Sequence, residues 1–389
     1  MRPPLSAFRT FWSPSGPLYD KSTCFRDYTR ASTLVSTSRC IYRNLALEQW
    51  LYENATFPLG SPGLLLMWWN APAVVIGRHQ NPWVECSLKT AARLGVALAR
   101  RNSGGGTVYH DSGNLNCCFM SHKHQYNRKA NLNFIADTLS AAWGVQATVT
   151  SRDDVLVQNA FKISGTAAKI GHGKAYHHCT VLVDVNTTVL HQVLGGNYGQ
   201  IESKATQSVR ASVKNLKELC PRLTTESLSA SLAQAFVSRH GKAAPDAESA
   251  LLVDPSEENF PGIDATCEKL QGWDWVFGTT PRFTISGSFA IPAAHAGVFE
   301  LGDALGLGNA VLKVALTSYH GRVEDMRFTP SVSSRRLRQA IADGIRHVRF
   351  VQSDVEDAFR KIKEGNPENG AFLGYLSRCI VALIGNANR

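Results

Sequence analysis

Long apolar runs are scarce in this chain. The longest candidate, Gly63-Leu64-Leu65-Leu66-Met67-Trp68-Trp69, is strand-sized and far below the ~18–20 residues a membrane helix needs. A membrane is therefore not among the expected partners. Cysteine pairs are also lacking. The nine cysteines are odd in number, scattered and without a Cys-x-x-Cys, which argues against a disulfide framework or a zinc site and fits a reducing compartment. Cys117 and Cys118 are adjacent on an expected strand, so they should face opposite sides as free thiols. Acids are sparse near the N-terminus. Arg2, Arg9, Lys21, Arg26, Arg30, Arg39 and Arg43 stand there against only Asp20 and Asp27, which is half of the net charge of +10. Elsewhere no Lys/Arg run is interleaved with aromatics, so nucleic-acid binding is a weak alternative. A mildly basic body suits an acidic protein partner. No internal repeat is visible.

What is present is ordinary globular material. A chain of 389 residues, 44% hydrophobic and 19% charged, is long enough for a large core and two domains. Residues 1–40 are rich in Arg, Ser and Thr with interspersed aromatics. That composition suits a mitochondrial import segment rather than a secretory signal, which needs a continuous apolar core. The alternative is a disordered basic tail. Arg39-Cys40-Ile41-Tyr42 is a candidate border of the cleavage site.

Periodicity supplies the elements. Leu45, Leu47, Trp50, Leu51 and Ala55 recur at helical spacing and predict a helix over 44–54, with Glu48 inside it. Strands are expected at 64–68 and 73–76, joined by the turn Asn70-Ala71-Pro72. Alternation lets only one of Trp68 and Trp69 face inward, where it is a candidate wall for an acyl channel. A helix over 87–94 ends at Gly95. Further strands are expected at 115–120, 155–157 and 176–185, and further helices at 131–143 and 225–239. The stretch 243–259 lacks periodicity, and 195–203 reads as a glycine-rich loop. Short strands (310–318, 323–328) and helices (334–345, 354–364, 371–383) follow, with no catalytic constellation.

The most informative stretch runs from Arg100 to Asn116: Arg-Arg-Asn-Ser-Gly-Gly-Gly-Thr-Val-Tyr-His-Asp-Ser-Gly-Asn-Leu-Asn. Three consecutive glycines are costly inside a helix. With no Cβ on one face of a loop, backbone N–H groups can approach an anion closely. Arg101 offers a charged fork for a carboxylate or phosphate, and Ser103 a small donor. The flanks read as strand, tight loop, strand. The competing reading is a hairpin whose glycines serve only the turn. The string matches neither a P-loop nor a dinucleotide fingerprint.

Taken whole, the string resembles the signature of the lipoate–protein ligase and lipoyltransferase family. Two downstream segments extend the resemblance: Phe161-Lys162-Ile163-Ser164-Gly165-Thr166-Ala167, and Tyr176-His177-His178-Cys179-Thr180-Val181-Leu182. Gly77-Arg78-His79-Gln80-Asn81, the segment from Thr206 and Ser208 to Leu216, and Trp273-Asp274-Trp275-Val276-Phe277-Gly278 resemble it too. The likeness covers about 44–278, and its animal mitochondrial lipoyltransferases also carry Cys after the two histidines.

The resemblance implies an α/β (α+β) fold. A large mixed-sheet catalytic domain of the biotin/lipoate ligase type (41–278) would follow the import segment (1–40), with a small α/β accessory domain after it (282–389). It implies a lipoyltransferase, an acyltransferase forming an amide on a protein lysine. Lipoyl-AMP, or the lipoylated glycine-cleavage H protein, would donate to lipoyl domains of 2-oxoacid dehydrogenase complexes in the mitochondrial matrix. No tightly bound cofactor is implied, and Mg2+ only if ATP activates lipoate. A monomer is expected. An ATP-dependent lipoate–protein ligase is the alternative within this fold, and a non-catalytic lipoyl-binding module the alternative of another class.

Such chemistry needs cations and N–H donors at the phosphate, a donor at the reacting carbonyl and an apolar slot for the tail. Lys162 is expected to act on the carbonyl and α-phosphate, against the alternative of a solvated surface lysine. Arg101, Ser103, Gly104, Gly105, Gly106, Tyr109 and His110 would line the slot mouth. Ser164, Gly165, Thr166 and Ala167 would add backbone donors. Arg152 would face the phosphate, and Asp154 would lie near the adenylate or hold Mg2+, although adjacent acids such as Asp153-Asp154 usually form a solvated turn. Thr206 and Ser208 would lie on the adenylate side. Glu48 is expected near the ligand. Adjacent strand histidines point apart, so a metal pair is disfavoured. A buried, hydrogen-bonded His178 with Thr180 on the same face is expected instead. Cys179 invites a thioester mechanism, but a buried strand cysteine is usually an apolar filler.

Overall fold

A computed structural model of the chain describes residues 32–195, 201–240, 250–300 and 310–387. The expected import segment before residue 32, the centre of the 195–203 loop and residues 243–249 of the unpatterned stretch lie outside the described residues.

In chain order, β1 (Ser32–Ser36), α1 (Ile41–Asn54), β2 (Leu64–Trp68) and β3 (Ala73–Ile76) are followed by α2 (Pro82–Glu85) and α3 (Leu88–Arg93). Next come β4 (Ala97–Arg100), β5 (Val108–His110), β6 (Asn114–His122) and α4 (Arg128–Trp143). Then come β7 (Ala147–Val149), β8 (Val155–Val157), β9 (Phe161–Ser164), β10 (Thr166–Gly171) and β11 (Lys174–Leu182). They lead to α5 (Thr187–Val193), β12 (Ile201–Ser203), α6 (Thr225–His240), β13 (Leu251–Val253), α7 (Ile263–Gln271) and α8 (Trp273–Val276). The chain closes with β14 (Phe283–Ala290), β15 (Val311–Tyr319), β16 (Arg322–Thr329), α9 (Arg335–Ile345), α10 (Gln352–Glu364) and α11 (Gly370–Ala387).

These elements form two compact units. Among the described residues, the first is drawn from 1–78, 95–191 and 208–272. Its main sheet is mixed, in the order β10-β11-β6-β2-β1-β13. Alternation sorts the strands into two faces. Leu65, Met67, Leu115, Cys117, Cys179 and Val181 enter a core with Leu132, Ile135 and Leu139 of α4 and Leu228 and Leu232 of α6. The register aligns Leu66 with Cys118 and His178, Trp68 with Asn116 and Thr180, and Leu64 with Met120 and Tyr176, so these share the opposite face. The buried residues of α1 spread around its circumference, because the helix packs on both α7 and β11. A small sheet, β4-β3-β5, carries the glycine loop. β3 lies between β4 and β5, so the loop crosses the end of β3 instead of closing a hairpin.

β1 corrects the boundary expected at residue 40. Ser32–Ser36 is an interior strand, parallel to both β2 and β13, with Leu34 and Val35 buried. Its apolar core is too short to stand out within an Arg/Ser/Thr-rich stretch.

The second unit comprises residues 79–94, 192–207 and 273–389. An antiparallel sheet, β12-β14-β15-β16, packs with α9, α10 and α11 around Phe283, Leu312, Leu316, Ile341, Phe359 and Ile380. Trp83 of α2 joins this core, its ring 5.1–5.2 Å from those of Phe277, Phe283 and Phe350. The units are therefore interleaved in sequence, whereas contiguous domains meeting near residue 278 were expected. Among the described residues one helix is long and apolar enough to cross a membrane, a feature that its interrupted apolar runs do not announce in the sequence. It is the stretch around α11, and just over half of it is buried inside the protein.

Chains starting at Ser32 and at Tyr42 separate the two boundaries. The first should melt as the full-length protein does. The second loses β1 and with it the burial of Leu34 and Val35, worth about 1.5–3 kcal/mol each, and should melt markedly lower or fail to accumulate. Equal melting temperatures would show that β1 is dispensable.

Candidate functional site

Arg101 does not present its fork to an outside anion, as the sequence suggested. It is buried, and its guanidinium is bound by its own loop and by β3. Nε donates to Ser103 Oγ (3.0 Å), Nη1 to the Val75 carbonyl (3.0 Å), and Nη2 to the carbonyls of Gly104 (2.6 Å) and Gly106 (2.7 Å). A trans peptide points its C=O and N–H in opposite directions. Drawing the Gly104 and Gly106 carbonyls towards Arg101 therefore turns the N–H groups of Gly105 and Thr107 the other way. The Thr107 N–H meets Ser208 Oγ at 2.8 Å. Gly105 has φ +84°, and a Cβ there would meet Arg101 Nη2 at 3.0 Å and Ala167 Cβ at 3.3 Å. The loop thus lies against β10. Burial lowers the Arg101 pKa only to about 10, so the staple stays charged.

A buried polar chain continues from this staple. Ser103 Oγ lies 2.7 Å from His178 Nε2, and His178 Nδ1 lies 2.6 Å from Glu48 Oε1. The directions are consistent: Arg101 donates to Ser103, Ser103 to His178, and His178 to Glu48. His110 is buried nearby, with Nδ1 3.0 Å from Asn70 Nδ2. The amide can only donate there, so Nδ1 accepts and Nε2 carries the proton. That Nε2 has no partner among the described residues. Burial, then the Arg101 charge and the neighbouring His178, pushes the His110 pKa down to about 3. Tyr109 occupies the other face of β5, where burial and Asp111 raise its phenol to about 12.

Lys162 on β9 is half-buried, with its Nζ 2.5 Å from Asp154 Oδ1. Its backbone binds the segment 212–214, donating to the Ser212 carbonyl (2.8 Å) and accepting from Lys214 (3.3 Å). Gly165 and Thr180 stand beside it. A Cβ on Gly165 would lie 3.6 Å from Thr180 Oγ1 and 3.9 Å from Lys162 Cε. The Gly165 N–H is already bound to Thr180 Oγ1 (3.0 Å), so it is not the open donor that the sequence suggested. Ser164 Oγ is buried without a partner among the described residues. Thr166 hydrogen-bonds His177 Nε2 on the α4 side of the sheet, away from His178. The two adjacent acids divide: Asp153 pairs with Arg128 of α4 at 3.2 Å, and Asp154 with Lys162. Arg152 is exposed on the turn. Among the described residues no group of three or more His, Cys, Asp or Glu side chains is placed to hold a metal.

Cys179 faces the core with Cys117, 3.8 Å from the Cys117 carbonyl, on the opposite side of β11 from His178. Thr206 falls in the second unit, where its carbonyl accepts from Gln80 (3.4 Å). Sequence reasoning missed the network Ser36–Asn44–Asn70–His110; isolated asparagines carry no signal of it. It also missed a cavity of about 530 Å3 lined by Thr187, His191, Arg210, Ser212, Val213 and Glu218.

Comparison with known proteins yields a consistent set. Residues 40–237 match the lipoyl protein ligase A/B catalytic domain. The chain is 43% identical over 269 residues to the mitochondrial lipoyl amidotransferase of Mus musculus, covering 69% of this chain and 71% of that one. It is 32% identical over 347 residues to lipoate-protein ligase A of Psychrobacter cryohalolentis, covering 87% and 94%. Among solved structures, LipL1 of P. falciparum, in complex with lipoate, superposes with a TM-score of 0.55 at 23% identity, covering 90% of this chain and 99% of that one.

Two predictions follow from the geometry. Gly105→Val should weaken binding of an acyl-adenylate at least ~10-fold, since a branched side chain is strained at this φ and crowds Arg101; unchanged affinity by titration would reduce the glycine to a turn device. The second concerns acid. Burial also holds His177 at about 3. Between about pH 6.5 and 3 the unfolded chain binds protons at His110 and His177 that the folded protein refuses, so stability should fall as pH falls, by up to about 1.4 kcal/mol per unit for each. Urea denaturation at pH 7 and pH 5 reads the slope, which His177→Gln should flatten.

Proposed function

Because this chain belongs to the lipoate–protein ligase and lipoyltransferase family, we propose that it transfers a lipoyl group to a lysine of lipoyl domains in 2-oxoacid dehydrogenase complexes. The observation that carries the mechanism is the Lys162 ammonium, held by Asp154 beside Gly165 and Thr180, on the strand that leads into the β10 wall of the glycine loop. The acceptor lysine amine attacks the lipoyl carbonyl. Its nitrogen forms the new amide and loses a proton, and AMP, or the donor's own lysine amine, departs. Lys162 stabilises the negative charge that develops on the carbonyl and phosphate oxygens. Arg101 acts indirectly, by fixing the orientation of the loop peptides. Ser103, His178 and Glu48 brace Arg101 and form one wall of the acyl slot. His110, Thr180 and Ser208 complete the lipoyl-AMP side.

Donors are lipoyl-AMP and the lipoylated glycine-cleavage H protein. Asp154 is engaged by Lys162, which supports an activated or protein-bound donor over ATP-dependent activation; Mg2+ enters only where ATP is used. The protein works in the mitochondrial matrix, a reading supported by the basic, acid-poor N-terminal composition and the mitochondrial relatives, and we propose a monomer. The first unit is the catalytic domain and the second an accessory domain.

Purified protein with an apo lipoyl domain, offered lipoyl-AMP, lipoylated H protein or lipoate plus ATP, tests the reading. Transfer from the first two donors is expected, and no transfer from any donor would refute it. Lys162→Ala should lower transfer at least ~100-fold, the scale of one lost oxyanion-type donor, and Lys162→Arg should not restore it, because the planar fork differs in shape from an ammonium. Near-normal Lys162→Ala activity would remove Lys162 from the mechanism.

A further inference from the structure

Tyr176 lies on the site face of β11, two residues from His178 and four from Thr180. Its side chain is buried, yet its hydroxyl has no hydrogen-bond partner among the described residues. Packing does not account for that oxygen. The ring meets Tyr52 edge-on at 5.3 Å and His178 at 5.3 Å, and a phenylalanine ring would make the same contacts. Across the sheet stand Met120 and then Leu64 on one side and Lys169 of β10 on the other, and the Lys169 ammonium lies over the Tyr52 ring, 4.9 Å from its centroid. Glu48, Cys118 and Arg101 lie close enough to act on it electrostatically, and burial together with Glu48 pushes the phenol well above its ordinary pKa. The group therefore remains an O–H donor. His110 Nε2, another of the buried side-chain donors without a partner among the described residues, lies near Arg101 as well.

The strand serves as a ruler. Lys162 reaches the face at Gly165 and Thr180. Four residues of strand separate Thr180 from Tyr176, about 13 Å at the usual rise. An extended eight-carbon acyl chain measures about 9–10 Å from its carbonyl, given single bonds near 1.5 Å. An acyl group with its carbonyl at Lys162 and its tail along this row ends between His178 and Tyr176, whose ring leans towards His178. In a lipoyl group that end carries two dithiolane sulfurs, weak hydrogen-bond acceptors that also favour aromatic edges. In an octanoyl group it is a methyl.

We propose that Tyr176 distinguishes lipoyl from octanoyl groups, its hydroxyl donating to a dithiolane sulfur at the closed end of the acyl slot. An octanoyl tail leaves that donor buried and unpaired, which is the way a polar site rejects an analogue lacking the matching group. Sulfur accepts weakly, so the discrimination is modest. The inference rests on the lipoyl-transfer reading.

The test compares kcat/KM for lipoyl-AMP and octanoyl-AMP, with an apo lipoyl domain as acceptor, in the natural protein and in Tyr176→Phe. The natural protein should favour lipoyl by roughly tenfold, and Tyr176→Phe should lower that ratio at least about fivefold, mainly by improving octanoyl transfer. An unchanged ratio, with both donors still used, overturns the assignment. Failure of the natural protein to use either donor refutes lipoyl transfer itself, and this inference with it. Thermal melting gives an independent readout. Deleting a hydroxyl without a partner should not lower Tm, whereas a clear drop would mean that it is bonded in the ligand-free protein and is not a ligand donor.

Discussion

The Arg101 guanidinium, buried against its own loop, is the constraint on which the site depends. Three glycines by themselves define no conformation. The carbonyls of Gly104 and Gly106 are fixed because one cation binds both, and the peptide geometry then dictates where the intervening N–H groups point. The cation must itself be held, and Val75 on β3 and Ser103 hold it. Ser103 is held by His178 on β11, and His178 by Glu48 on α1. A helix, two sheets and a loop are thus tied together by a chain whose Arg101 and Glu48 ends are charge-assisted hydrogen bonds, roughly twice as strong as neutral ones. Inside the protein each link also excludes alternatives, because an unpaired partner would be costly.

This arrangement separates the roles of the two cations. Arg101 is consumed by architecture, whereas Lys162 stands at the half-buried end of the row with a single carboxylate for company. A planar, permanently charged fork suits the first task, and a compact ammonium on a flexible stem suits the second. The face between them changes character along its length. It runs from Thr180 and Asn116 through His178 and Cys118 to the apolar Met120 and Leu64, with the Tyr176 hydroxyl and Lys169 of β10 as the polar groups of that end row. An acyl group with a polar head and a long tail matches that gradient.

Much was legible in the sequence. Helical spacing placed α1, α4 and α6 to within a few residues, and short apolar runs bounded by turn residues gave β2, β3 and β8, because local pattern reports what is buried. The string from Arg100 to Asn116 pointed to the lipoate ligase family, since such mixed chemistry rarely recurs by chance. What escaped was non-local. β1 is stabilised by β2 and β13, the latter more than two hundred residues away, so nothing in its own five residues announces it. Trp83 belongs to the core of the second unit through aromatic rings far along the chain.

The sequence by itself determined residue types and their local order: the glycines, an arginine two positions ahead of a serine, two adjacent histidines, a lysine before Ser-Gly. Alternation already required His177 and His178 to face opposite sides, because a pleated strand has a period of two. Only the tertiary structure decided which partner each group took. Arg101 turned inward because carbonyls of its own loop surround it, and Asp153 and Asp154 parted because a sharp turn aims one at α4 and the other at β9. Tyr176 has no hydrogen-bond partner among the described residues because Met120 and Leu64 flank it on one side and Lys169, opposite it on β10, lies over the Tyr52 ring instead. Partner choice depends on which strands become neighbours, and that is set by the burial of the whole sheet rather than by any segment of it.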